Sequence, residues 1–396
     1  MTSTSRTSAP DGPPHATDAA YRTELRQGFE RMYERRRLKL FGALALLTTA
    51  PLLLLSLSEG LAFGPRVEVP ILRDPGFYCR YLAALPLLVG AEIFVGMSLA
   101  VQVGYLLESG LVPEEERPSF QAAKAQLQRL ARSRAAKVVA GALAFVVVTT
   151  FRLLLDTKPG ASSWERLGAA DGGRITLAGW WSILVSVPVL VGLLLHWLWR
   201  AGVWAWFLFR VSRLDLALTP THPDRAGGLG FLAWGQASFA PVLAAVSAVL
   251  SGSIAGEVLY GGRTVDALKY HAVVFVVLAL AFLLAPLLVF SRRMAHCRFQ
   301  AILDFGMLVW RHDRAFDEKW IRNLGTSRES LLGSPDVSSL SDIGVAFDHV
   351  ERMRIMPLDH QALLVLLMAA VAPLLPSLAT AIPLPEILKN LAGFLV

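Results

Sequence analysis

Cysteine is nearly absent from this chain, with Cys79 and Cys297 alone among 396 residues. Two thiols so far apart offer no metal-ligand spacing. The topology read below puts them on opposite sides of a bilayer, which excludes an intramolecular disulfide. Charge is scarce as well: Asp, Glu, Lys and Arg make up 17% of the residues, against about 25% in soluble domains. Signatures of nucleotide and hydrolytic chemistry are missing too. The chain holds no G-x-x-x-x-G-K-[ST], no G-x-G-x-x-G after a strand, no H-E-x-x-H and no Gly-x-Ser-x-Gly. These absences argue against P-loop, dinucleotide-binding, zinc-protease and lipase-like chemistry. No catalytic residue, cofactor or metal is therefore expected, and an intramembrane enzyme using His222 or His296 has no supporting spacing.

What the chain has instead is oil. Apolar residues reach 54% and the mean hydropathy is +0.49, more than a soluble core absorbs. About 20 apolar residues are needed to cross roughly 30 Å of hydrocarbon, and a helix satisfies every backbone amide there. Seven stretches meet or approach that length: 40–57, 81–107, 138–155, 175–199, 228–259, 271–290 and 362–384. The expected fold is all-α, a polytopic transmembrane helical bundle of about seven spans with helical cytoplasmic extensions. Prolines 51, 86, 188, 241, 286 and 373 lie within spans, so kinks and broken helices are expected.

Outside the spans, residues 1–20 lack apolar periodicity and read as a disordered tail. Residues 21–39 interleave Tyr21, Leu25, Phe29 and Met32 with arginines, the pattern of a basic amphipathic helix on lipid headgroups. Phe120, Leu127 and Leu130 predict a second amphipathic helix running into span three. Met294 to Trp320 predicts a prolongation of span six, and Ser341 is the expected N-cap of a helix carrying Ile343, Phe347, Val350 and Met353. Residues 291–361 then form a cytoplasmic helical subdomain, and 362–396 hold the last span and a C-terminal segment.

Basic residues choose the orientation. With the N-terminus inside, 28 of the 38 Lys and Arg residues fall in inside segments and eight in outside loops, which the positive-inside rule favours. The net charge of +7 follows from this topology and suits anionic headgroups. No aromatic-and-basic platform for nucleic acid is present.

Few polar residues enter the spans. Glu92, near the centre of span two, costs about 2.5–3.5 kcal/mol to insert unless it faces protein or water with a partner. It is either a proton or cation site or one side of a structural hydrogen bond or ion pair. Arg152 is the natural partner within the spans, though its place near the outer end of span three favours snorkelling to the headgroups. His196 reads as an interface residue near the inner boundary. Span five carries Gln236 and several serines among Gly and Ala, with Gly252 and Gly256 in a G-x-x-x-G pattern, so its small polar face suits the bundle interior or a protomer interface.

The inner mouth of span five holds His222, Asp224, Arg225, Gly227, Gly228 and Gly230. Prolines and glycines with a capping Asp explain a re-entry turn by local chemistry alone. A functional reading makes the turn an inner gate or a cluster for a headgroup or solute.

Two segments, His222-Pro223-Asp224-Arg225-Ala226-Gly227-Gly228-Leu229 and Met353-Arg354-Ile355-Met356-Pro357 with the preceding Ser341-Asp342-Ile343, resemble patterns in a group of bacterial multi-pass inner-membrane proteins without an assigned activity. The resemblance implies an architecture and a bacterial host, and no activity. Two expectations for function follow from the residues: a transport or channel-type protein for a small solute or ion, proton-coupled through Glu92, or a membrane-anchored scaffold or sensor acting on a cytoplasmic protein or a second copy of the chain. A lipid-acting enzyme ranks third.

Overall fold

The computed structural model describes residues 35–155, 162–168, 173–322 and 334–379. The expected tail, nearly all of the basic helix at 21–39, and the end of span seven lie outside them. The chain forms two units, Met1–Leu44 and Ala45–Val396; the second holds the bundle described below.

The fold is an all-α helical bundle. Among the described residues six helices are long and apolar enough to cross a membrane, with Gly42–Ser58 a shorter apolar helix; by length and composition these suggest a membrane protein. In chain order the elements are α1 (Arg35–Ser58), α2 (Pro75–Glu108), α3 (Arg117–Ala131), α4 (Arg134–Leu154) and α5 (Leu177–Val211). Then come α6 (Phe231–Ala237), α7 (Ala240–Leu259), α8 (Val265–Leu284), α9 (Ser291–Phe316), α10 (Pro335–Glu351) and α11 (His360–Val371). The segments 109–133 and 212–230 meet at one end of the bundle, where Ala217 N donates to the Leu111 carbonyl at 3.0 Å; with Arg292, Arg293 and Arg298 at the start of α9, this is called here the basic end.

At the centre, α7 packs against α2 and α11, burying Ser247, Ala248, Ser251, Gly252 and Ala255. In lipid the tails are as apolar as the side chains, so close packing and interhelical hydrogen bonds hold helices together. Both operate here. A Cβ on Gly252 would lie 2.7 Å from Cys79 Cβ and 3.1 Å from Gly76 Cα, so α7 and the start of α2 touch nearly backbone to backbone. Ser247 Oγ donates to the Ala370 carbonyl of α11. Of the G-x-x-x-G pair only Gly252 makes such a contact, since Gly256 faces open space. The outer helices α4 and α8 leave Val138, Val139, Val273 and Leu278 exposed, as lipid-facing surfaces do.

Several boundaries differ from the hydropathy reading. The fourth span continues past Trp199 to Val211 because Trp204, Phe207, Leu208 and Val211 are buried, with α3 packed across this stretch. Accordingly α3 does not run into α4; Ser133 accepts from Ala136 N and caps a new helix. The fifth span is broken at Ser238 and Phe239. Ser341 caps nothing, for α10 begins two turns earlier with Ser334 as N-cap and Pro335 at the first position, where its fixed φ and missing N–H cost nothing. The helical extensions pack separately, α3 on α5 and α9 on α10.

Candidate functional site

Polar groups gather at three levels of the bundle. The deepest centres on Glu92, the eighteenth of the 34 residues of α2. Opposite it, His196 and Arg200 stand one turn apart on α5, a spacing that puts both on one helix face. His196 Nε2 lies 3.0 Å from Glu92 Oε1, and Arg200 Nη1 donates to Glu92 Oε2. The guanidinium also sits 4.8 Å from the Trp197 ring centre, while Trp197 Nε1 donates to the Leu88 carbonyl at 2.9 Å. A carboxylate so placed balances the guanidinium, and the imidazole adds a proton-accepting group on the same oxygen pair. Glu92 keeps 25% of its side-chain surface accessible, His196 13% and Arg200 15%.

Arg152 is not the partner of Glu92. It pairs with Glu165 at 2.5 Å, in a second cluster at the end opposite the basic loops. Glu165 also lies 3.9 Å from Arg80 and accepts from Ser182 Oγ at 2.8 Å. Arg80, Arg152 and Ser182 each come from a π-helical turn, Tyr78–Ala84, Phe151–Leu155 and Ser182–Ser186. Such widened turns are often found at functional sites; here all three aim a polar group at one carboxylate. Burial alone would raise the pKa of Glu165, but Arg152 and Arg80 outweigh it and hold the carboxyl below its ordinary range. Asp74 completes the cluster, accepting from Gly76 N at 2.7 Å and Trp164 Nε1 at 3.0 Å. Between the two clusters Ala84, Leu85, Leu88 and Ala91 have no exposed surface, so an apolar layer separates them.

The third level is the turn at the basic end. Asp224 accepts from Ala226 N at 2.8 Å, Gly228 N at 3.2 Å and Gly230 N at 2.8 Å, and His222 Nδ1 lies 2.9 Å from it. Burial would raise its pKa, yet these backbone donors keep it below the ordinary value. The carboxylate is thus occupied in shaping the turn. Arg225 (φ 52°), Gly227 (φ 65°) and Gly228 (φ 92°) wrap the chain around it in left-handed conformations, which glycine adopts without strain. The Arg225 side chain is exposed; its backbone N–H donates to the His222 carbonyl at 3.0 Å, and its carbonyl accepts from Arg354 N at 2.7 Å. Arg354 Nη2 donates to the Asp224 carbonyl at 2.8 Å. The two segments that carry the resemblance therefore meet in space.

Gln236 is buried and its Nε2 has no partner among the described residues; the same holds for Oε1 of buried Gln102 on α2. Gly235 lies against the Gln102 carboxamide, so a Cβ there would push that side chain aside. These amides flank the break in the fifth span. Gln102 and Arg200 are what sequence reading missed; His196, read as an interface residue, instead faces Glu92, and its four-residue spacing from Arg200 was a visible signal. Among the described residues no group of three or more His, Cys, Asp or Glu side chains could hold a metal ion. Comparison with known protein families, with curated proteins and with solved structures finds no match for this chain.

Proposed function

We propose that this chain is a transport or channel-type protein of a bacterial inner membrane, with its N-terminus and basic end cytoplasmic, and that it moves a small solute or ion with a proton carried at Glu92 and His196. The observation carrying this reading is the partly accessible Glu92, His196 and Arg200 group at the middle of α2. Arg200 balances Glu92, and His196 sets a group able to give or take a proton beside the same carboxylate. When His196 gains a proton, α5 gains attraction for α2; when it loses one, only the Arg200 pair remains. The turn at Ser238 and Phe239 within the fifth span, with Gln102 Oε1 and Gln236 Nε2 lacking partners among the described residues, supports the same reading, because irregular helices with free polar groups recur at transporter sites. The orientation rests on the distribution of Lys and Arg.

The test is flux. Purified protein in liposomes should move protons or monovalent ions down an imposed gradient, and Glu92→Gln at matched folding should abolish it. No flux under any gradient, with a stably folded variant, counts against transport. One observation favours the second reading, a scaffold or sensor: Phe299, Leu303, Met307 and Trp310 recur at three- and four-residue spacing along α9 and are all more than half exposed. If flux is absent, replacing these four with serine and assaying self-association of the full chain is the next experiment.

A further inference from the structure

A cavity of about 1200 Å³ opens at the basic end between the segment 209–220 and the start of α9. It belongs to none of the three polar groups above. Its floor is apolar, including Phe209, Leu216 and Val289. Phe209 lies two residues before the end of α5 and Val289 in the last turn before α9, so the cleft sits where apolar helices give way to charged segments. Three cationic or titratable side chains point along its wall, Arg213, Arg292 and His296. Arg292 and His296 are one turn apart on α9 and share a face.

These groups differ from the other basic residues nearby. Arg293, also in the wall, is engaged: Nη1 donates to the Leu214 carbonyl, Nη2 to that of Arg213 at 3.3 Å, and the side chain pairs with Asp215 at 3.5 Å. It clamps the 213–215 segment against α9. Arg213, though exposed, instead sits over Phe209, 4.8 Å from the ring centre, which keeps its guanidinium beside the cleft. Neither Arg213 nor Arg292 has a carboxylate within ion-pair distance among the described residues. The acids of the wall are Asp215, taken up by Arg293, and Asp304, three turns along α9 from Arg292 and away from the membrane. Two unpaired guanidiniums beside a spare imidazole, over an apolar floor, are a receptor for an anion with several acceptor oxygens.

We infer that this cleft binds a phosphate-bearing anion, engaged by Arg213 and Arg292 with His296 beside them. The volume exceeds what a bare phosphate fills and is within reach of a headgroup with the first carbons of its acyl chains over Phe209 and Val289. The same chemistry would take a soluble phosphorylated solute. The proposal stands independently of transport, since it uses none of the residues at the middle of the spans.

The experiment is native mass spectrometry of the full chain released from phosphatidylcholine nanodiscs with and without phosphatidylglycerol, comparing wild type with Arg213→Gln/Arg292→Gln. At about 1 kcal/mol for each arginine at a membrane surface, the double variant should bind phosphatidylglycerol about 30-fold more weakly. Arg263→Gln, at the opposite end, serves as control and should bind as wild type does. Arg292→Gln alone, at an exposed helix position, serves if the double variant does not fold. Adding glycerol 3-phosphate separates the two sources. Retention of the lipid in its presence identifies a headgroup, and displacement at matched concentration identifies a soluble phosphate; either supports the cleft as a phosphate site. Equal binding of phosphatidylglycerol by wild type and folded variants, or no preference of wild type over phosphatidylcholine, overturns it.

Discussion

Arg354 is fastened to the turn at 222–230 through its backbone and its side chain. Its amide donates to the Arg225 carbonyl at 2.7 Å and its guanidinium to the Asp224 carbonyl at 2.8 Å, across 130 residues of chain. The guanidinium also donates to the Leu358 carbonyl and faces Asp359 at 3.6 Å, so one side chain joins the turn to the approach of α11.

Removing that side chain should loosen the turn. Arg354→Ala forfeits charged hydrogen bonds to carbonyls that stay half-buried, a cost of about 2–3 kcal/mol. Hydrogen exchange should rise across residues 219–230 while α2 and α7 keep their protection. Arg354→Lys restores the charge but not the two-pronged geometry and should recover only part of it.

The Glu165 cluster makes stability depend on pH. Its carboxyl is held below the usual 4.5 in the folded protein, so its contribution is full above the unfolded value and disappears as pH falls through the folded one. Thermal unfolding in detergent should therefore drop on acidification below about pH 4.5. Glu165→Gln should flatten that decline and cost about 3 kcal/mol at neutral pH, because Arg152 and Arg80 are left without their counter-charge.

At the middle of the spans, single and double substitutions should not add. Glu92→Gln strands Arg200 at a cost of about 3 kcal/mol, while Arg200→Gln leaves Glu92 with His196 alone and should cost less. The double variant removes both charges and should be more stable than either single one. A double-mutant cycle of melting temperatures measures the difference; strict additivity would show that the two side chains do not interact.

Gly252 and Gly256 separate a contact from a pattern. Gly252→Ala must push α7 away from Cys79 and should cost about 1–3 kcal/mol by overpacking, with faster maleimide labelling of Cys79. Gly256→Ala meets open space and replaces a flexible residue in a helix, so it should be neutral or stabilising by up to about 1 kcal/mol.

The number of spans, the central place of Glu92 and the continuation of the sixth span into α9 were legible in the chain as written. The reason is that these depend on local quantities: an apolar run must be helical to satisfy its backbone in lipid, and a charge within such a run is visible by position alone. Chain order cannot say which face of which helix meets another. Glu92 and His196 are 104 residues apart and Asp224 and Arg354 are 130 apart. Arg152, nearer the sequence reader's eye, turned to a loop carboxylate 13 residues on, at a place where three π-helical turns reorient the side chains. Partnership in a bundle is set by rotation and depth of the helices, which arise from packing such as Gly252 against Cys79. A bare apolar run is nearly indifferent to both until its neighbours are in place.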